Sequence, residues 1–238
     1  FFAYVDKTFA NRKKYITLFG GEPLLPGENR KKMIHYLLSE ATRRKLDTAI
    51  VTNGFHLAGF VDEIKQYRIR EIQITLDGMK DVHDVRRPLR GGGSSFDAVV
   101  SGIDACLQNS IPVNLRMVVD KENIGELPKI ARFAIDKTWA QNSLFKTQLG
   151  RNYELHHCQT NNQKLFDRLD MYEALFHLIE QHPYITAFHK PAYSISKYLF
   201  ENGTLPSPLF DSCPGAKNEW AFDYSGNIFA CTATVGKK

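Results

Sequence analysis

The chain has 238 residues, 43% of them hydrophobic and 24% charged, which excludes disordered, collagen-like and disulfide-scaffold proteins and allows a sizeable core without staples. Its net charge of +5 is scattered rather than gathered on one element, so Arg12-Lys13-Lys14 and Arg43-Arg44-Lys45 read as solvated faces and no nucleic-acid partner is expected. No stretch approaches the roughly 20 apolar residues of a membrane span, and four dispersed cysteines at 106, 158, 213 and 231 point to a reducing, cytoplasmic setting with no membrane partner.

Phe1, Phe2, Val5 and Phe9 are spaced as the end of a helix, and neither terminus reads like a natural start or stop; the expected object is a piece of a longer protein. Tyr15 to Phe19 is the first strand, closed by Gly20-Gly21, and Met33, Ile34, Leu37, Leu38 and Ala41 form one face of the next helix. Residues 47–52 are the second strand, ended by Asn53-Gly54. A short helix with Phe60, Val61 and Ile64 leads to the third strand, 71–76, which stops at Asp77-Gly78. Phe96, Val99, Val100, Ile103 and Leu107 mark a helix that Ser94 or Ser95 would cap. Residues 112–119 are a fourth strand, Leu127, Ile130 and Ala134 a further helix, and 144–149 a weaker fifth strand. Strands alternating with helices predict an α/β fold, a partial (β/α)6 TIM-like barrel of parallel strands whose carboxyl ends converge on one face. Beyond it lie a helix through Leu165, Leu169, Tyr172, Phe176 and Ile179, a Pro- and aromatic-rich stretch, and a short C-terminal hairpin turning at Ser225-Gly226-Asn227. The expected domains are 1–190 and 191–238.

Gly20-Gly21-Glu22-Pro23 directly after an apolar strand is the sharpest local signal. Two glycines let a ligand approach the backbone, and Glu22 offers a carboxylate to an ammonium group; the alternative is an ordinary strand-ending turn. His83, Asp84, Arg86 and Arg87 either hold a substrate or lid, or tie down their own loop. His156-His157-Cys158 resembles a metal cluster, but adjacent residues on an extended chain point to opposite faces, and Cys106 reads as core.

Five collinear segments resemble one family: Leu18-Phe19-Gly20-Gly21-Glu22-Pro23-Leu24-Leu25, Thr52-Asn53-Gly54, Ile74-Thr75-Leu76-Asp77-Gly78, His83-Asp84-Val85-Arg86-Arg87-Pro88, and Cys213 with Gly226 and Cys231. Together they are similar to radical S-adenosylmethionine (SAM) enzymes with a SPASM-type extension, such as anaerobic sulfatase-maturating and peptide-modifying enzymes. The resemblance implies that a 4Fe-4S cluster reductively cleaves SAM to a 5'-deoxyadenosyl radical, which abstracts hydrogen from a peptide or protein substrate. An electron donor such as a flavodoxin or ferredoxin would supply the reduction. By the same resemblance Gly20, Gly21, Glu22 and Pro23 hold the methionyl amino group, and Asn53, Thr75 and Asp77 line the same pocket. Arg116, a charge within an apolar strand, either meets the cofactor carboxylate or faces outward. The family's C-x3-C-x2-C motif is not in this sequence, whose cysteines stand at least 18 residues apart, so the cluster ligands are expected upstream and the chain itself is expected to be inactive. Cys213 and Cys231 would be two ligands of an auxiliary 4Fe-4S cluster, or simply hairpin neighbours. The competing readings are a cluster-free relative that binds a peptide, and an unrelated barrel hydrolase or lyase, for which no nucleophile or metal triad is evident.

Overall fold

The computed structural model describes residues 1–152, 162–190, 202–204 and 219–235. By chain contacts, residues 13–190 form one compact unit, and residues 1–12 with 191–238 form another.

In the larger unit β1 (Tyr15–Leu18), β2 (Asp47–Thr52), β3 (Ile69–Thr75), β4 (Val113–Val119) and β5 (Phe145–Arg151) lie side by side in sequence order. Every neighbouring pair is parallel. Parallel neighbours need long crossovers, which α2 (Glu28–Arg43), α3 (Val61–Ile64), α4 (Lys80–Arg86), α5 (Phe96–Gln108) and α6 (Leu127–Asp136) provide; α1 is the short helix Phe2–Thr8, described with its own unit below. After β5 come α7 (Arg168–Gln181) and α8 (Ile185–Phe188). The α/β class and the parallel strand series are those expected from the sequence, with five strands of the series among the described residues.

Alternation along the strands sorts the two faces of the sheet. Ile50, Ile72, Ile74, Val113, Leu115, Met117 and Val119 share one buried cluster with Leu38 of α2, Ile103 of α5 and Ile130 of α6. The opposite face is polar in the middle of the sheet, carrying Gln73, Thr75, Asn114, Arg116 and Gln148. A parallel sheet covered by helices on both faces would read as continuous apolar runs. The polar face of β3 and β4 is that of a sheet whose second side serves something other than packing.

Two helix faces differ from expectation. Met33 is 57% exposed, and α2 buries Ile34, Leu38 and Ala41 instead. In α7 the stripe of Leu169, Tyr172 and Phe176 is exposed while Met171 and Leu175 are buried. Both stripes of α7 have helical spacing, so periodicity alone did not choose between them; packing did.

Gly54 ends β2 with φ +83°, and a Cβ there would lie 2.8 Å from Ile74 Cγ2. Strain and overlap act together, so Gly54→Ala is expected to destabilise the fold by about 2 kcal/mol. Urea unfolding monitored by circular dichroism measures it, and an unchanged midpoint would contradict this packing.

In the smaller unit α1 precedes the hairpin of β6 (Ala221–Phe222) and β7 (Ile228–Phe229), which pair antiparallel around the expected turn. Asp223 holds that turn, its carboxylate accepting from the backbone N–H groups of Ser225 and Asn227. The Phe222 ring packs edge-on against Phe1 and Tyr4, and Phe9 lies 4.7 Å from Trp220.

Candidate functional site

The turn after β1 is fastened to the end of β2 by one carboxylate. Glu22 Oε1 accepts from the Thr52 hydroxyl at 2.6 Å and from Leu24 N–H at 3.0 Å, and Oε2 accepts from Asn53 N–H at 2.7 Å. Glu22 is thus committed within the protein, and the group left for a ligand is the backbone it shapes. Gly20 and Gly21 have φ of +90° and +56°, and no atom lies within 4 Å of where a Cβ would stand on either. Pro23 follows and Leu24 is fully buried, anchoring the exit of the turn. Two adjacent open glycines held at a fixed height form a cradle that any side chain would partly fill.

Register sets other candidates at the same level. Thr75 pairs with Arg116, and Arg116 with Gln148. Asn53 follows Thr52, the partner of Ile74, and so stands level with Thr75. Asn53 Oδ1 accepts from Phe55 N–H, which curls the loop back after the strand. Four strands therefore bring Asn53, Thr75, Arg116 and Gln148 into one row, which Glu22 connects to the glycine turn.

Arg116 Nε is buried and has no hydrogen-bond partner. Gly150 makes room for this guanidinium: a Cβ on Gly150 would lie 3.1 Å from Nε and 3.2 Å from a terminal nitrogen. One row further in, Asn114 is 8% exposed and its Oδ1 is likewise unpaired. A permanently charged group with an unmet donor, placed over a glycine on the polar face, fits an anionic ligand group. Asn114 and Gln148 are not singled out in the sequence; the alternation of Asn114 and Arg116 with Val113, Leu115 and Met117 in an otherwise apolar β4 is the available signal for Asn114.

Asp77, expected in the pocket, is instead 3% exposed and fully engaged. Its Oδ1 accepts from Val118 N–H and its Oδ2 from Arg87 Nε, each at 2.8 Å, while its carbonyl accepts from Asn123 Nδ2. Arg86 forks onto Asp120 at 3.2 and 2.8 Å, and Asn152 also donates to Asp120. His83 Nδ1 accepts from Asp77 N–H, which fixes the imidazole proton on Nε2, and burial holds its pKa below the usual value. Asp84 Oδ1 accepts from Ser95 N–H and Phe96 N–H, so the start of α5 is capped by Asp84 rather than by Ser95 or Ser94. Asp77, Asp84 and Arg86 thus tie the ends of β3, β4 and β5 to α4 and α5.

A three-thiolate seat for a 4Fe-4S cluster does not exist among these residues. Cys106 is buried in α5 and burial pushes its thiol up to about 12. Cys231 is half-buried and free, and no group of three His, Cys, Asp or Glu side chains able to hold a metal occurs among the described residues. Cys213 and His156-His157-Cys158 lie outside the described residues. The buried, unpaired guanidinium in the row thus fits an anionic ligand group, and the described residues offer the cluster no place. Among those residues no helix is long and apolar enough to cross a membrane.

The chain is 26% identical over 129 residues to the Fe-coproporphyrin III synthase of Methanosarcina barkeri, covering 54% of this chain and 30% of that protein. It is 36% identical over 126 residues to the GTP 3',8-cyclase of Rhizobium leguminosarum bv. trifolii, covering 51% and 34%. It spans about a third of the length of these curated relatives. Among solved structures, native anSMEcpe with bound AdoMet superposes with a TM-score of 0.67 at 14% identity, covering 96% of this chain and 64% of that one. SuiB of Streptococcus suis bound to S-adenosylmethionine gives 0.59 at 16% identity, covering 93% and 49%; at such identities the likeness is one of fold. The radical SAM superfamily model matches residues 2–134, more than half of the sequence and the part that contains the glycine turn, the row as far as Arg116 and most of the buried charge network. The chain therefore belongs to the radical SAM superfamily.

Proposed function

We propose that this chain is the SAM-binding part of a radical SAM enzyme whose full-length form acts on a peptide or protein, with a reduced flavodoxin or ferredoxin as electron donor in the cytoplasm. The observation that carries the reading is the unpaired, buried Arg116 Nε in line with Thr75 and Asn53 and linked through Glu22 to the open glycine turn. In this reading the turn's backbone takes the methionyl ammonium group of SAM, Arg116 its carboxylate, and the Thr75 hydroxyl and Asn53 amide orient the remainder. A cluster bound by a cysteine loop outside these 238 residues would supply the electron for cleavage; the work of this chain is to hold SAM in one pose and keep it there. Residues 1–190 would be the barrel core and 191–238 the start of a SPASM-type domain, with Cys213 and Cys231 as two ligands of an auxiliary cluster. The peptide substrate rests on the likeness in fold to anSMEcpe, one structure of which holds a bound peptide; the curated relatives are named for a nucleotide and a porphyrin.

Anaerobic reconstitution of the full-length protein with iron and sulfide tests this. Broad absorbance near roughly 400 nm, expected of thiolate-bound clusters, together with 5'-deoxyadenosine formed from SAM and dithionite, is the expected result. Absence of both would favour the cluster-free peptide-binding alternative. The 238-residue chain alone is expected to bind SAM weakly, and micromolar affinity by calorimetry would contradict that.

A further inference from the structure

A cavity of about 290 Å³ opens beside Asn53, between the loop after β2 and the segment following α4. Asn53, Phe55, His83, Arg86, Arg87 and Leu89 are among its lining residues, and none of the lining side chains is a carboxylate. Two features set its chemistry. Arg87 meets Asp77 through Nε alone, so the four N–H groups on its terminal nitrogens keep their donor capacity. His83 Nδ1 accepts from Asp77 N–H, which leaves the imidazole proton on Nε2. A second guanidinium, Arg86, lies behind with a buried Nε that has no partner. Phe55 and Leu89 add apolar surface to these donors.

We propose that this cavity is a subsite for a substrate oxyanion, a carboxylate or phosphate carried on an apolar body, with Arg87 and His83 Nε2–H as its donors. Asp77 keeps its carboxylate on Arg87 Nε and so leaves the far edge of the guanidinium turned to the ligand, an arrangement suited to paired N–H···O bonds. Because Asn53 stands both in the row and at the cavity, a group bound here lies next to the SAM site. The assignment to substrate rests on the proposed function; the binding chemistry does not, since it needs neither SAM nor a cluster.

The test uses the 238-residue chain, labelled with ¹⁵N, and follows the His83 imidazole and Arg87 guanidinium signals during titration with benzoate, phenyl phosphate and, as the uncharged control, benzyl alcohol. Saturable shifts with benzoate, phenyl phosphate or both are expected, with none from benzyl alcohol; which anion binds identifies the source of the oxyanion. Arg87→Lys should weaken binding about tenfold, the loss of a bidentate charge-assisted pair. Leu89→Trp, away from the buried charge network, should block the cavity and abolish binding in a folded protein. The proposal is overturned by unshifted His83 and Arg87 signals with both anions, by equal shifts from benzyl alcohol, or by full affinity in a folded Leu89→Trp variant. Success here with failed cluster reconstitution would leave the oxyanion site standing and remove the radical-enzyme reading.

Discussion

Replacing Glu22 by alanine is expected to lower stability by about 3 kcal/mol, because three donors lose a charged acceptor at once and hydrogen bonds to charged groups are worth about 1.5–3 kcal/mol each. The Thr52 hydroxyl, Asn53 N–H and Leu24 N–H all depend on this carboxylate, and only the more exposed Asn53 recovers water readily. Glu22→Gln should cost less than alanine but still be destabilising, since one amide end carries hydrogens toward groups that themselves donate. Urea unfolding of the chain gives these values, and a stability loss confined to a few tenths of a kcal/mol would show that the turn does not need its anchor. The same variants separate two roles for Glu22. If it served only as a counter-charge for a ligand, removal would leave the unliganded fold unaffected.

The largest effect is expected at Asp120. Its side chain is 3% exposed and forks with Arg86, whose own side chain is 18% exposed. Asp120→Ala strands that guanidinium among buried neighbours, which should cost about 3–5 kcal/mol, the usual range for breaking a buried pair by removing one partner. Asp120→Asn retains one acceptor and should fall between the two. The pair also carries a pH signature. Burial acts to raise the Asp120 pKa, but the hydrogen bonds from Arg86 and Asn152 outweigh it, and the carboxyl is held below its usual value. With the folded pKa the lower one, this stabilisation is complete above the ordinary aspartate range, near about 4, and fades as pH falls through the folded value. The Asp120→Asn variant should therefore lose less stability than the natural chain on acidification below about pH 4; parallel acid-unfolding curves would contradict the assignment.

Much of this molecule is legible in its residues alone. The strands at 15–19, 47–52, 71–76 and 112–119 are marked by short apolar runs ending at glycine, Asn or Asp, and each lies within two residues of an observed strand. The hairpin is legible from Ser225-Gly226-Asn227, whose turn chemistry is local. What the sequence does not reveal are facts of contact. Glu22 and Asp77 are both carboxylates at strand ends, and their type suggests ligand binding. Only the fold shows that Thr52, Asn53 and Leu24 claim the first, and Val118 and Arg87 the second, across 31 and 41 residues in their longest-range bonds. Helix faces fail for a related reason. Met33, Leu169 and Phe176 have the spacing of core residues, but a helix with two apolar stripes can bury either, and the neighbour decides. For Arg116 the sequence leaves two orientations open, and the alternation of Val113, Leu115, Met117 and Val119 into the core selects the polar face.

The central claim is that Asn53, Thr75 and Arg116, in line with the glycine turn, form the SAM site, with Arg116 its anion-binding member. The most direct measurement is the apparent SAM affinity of the cluster-bearing full-length enzyme with Arg116 replaced by alanine, read from 5'-deoxyadenosine formation against SAM concentration and paired with a thermal melt. The account predicts an increase of about tenfold or more in the SAM concentration required, with little change in melting temperature because Arg116 Nε meets no partner within the protein. An unchanged SAM requirement in a folded Arg116→Ala enzyme would contradict it.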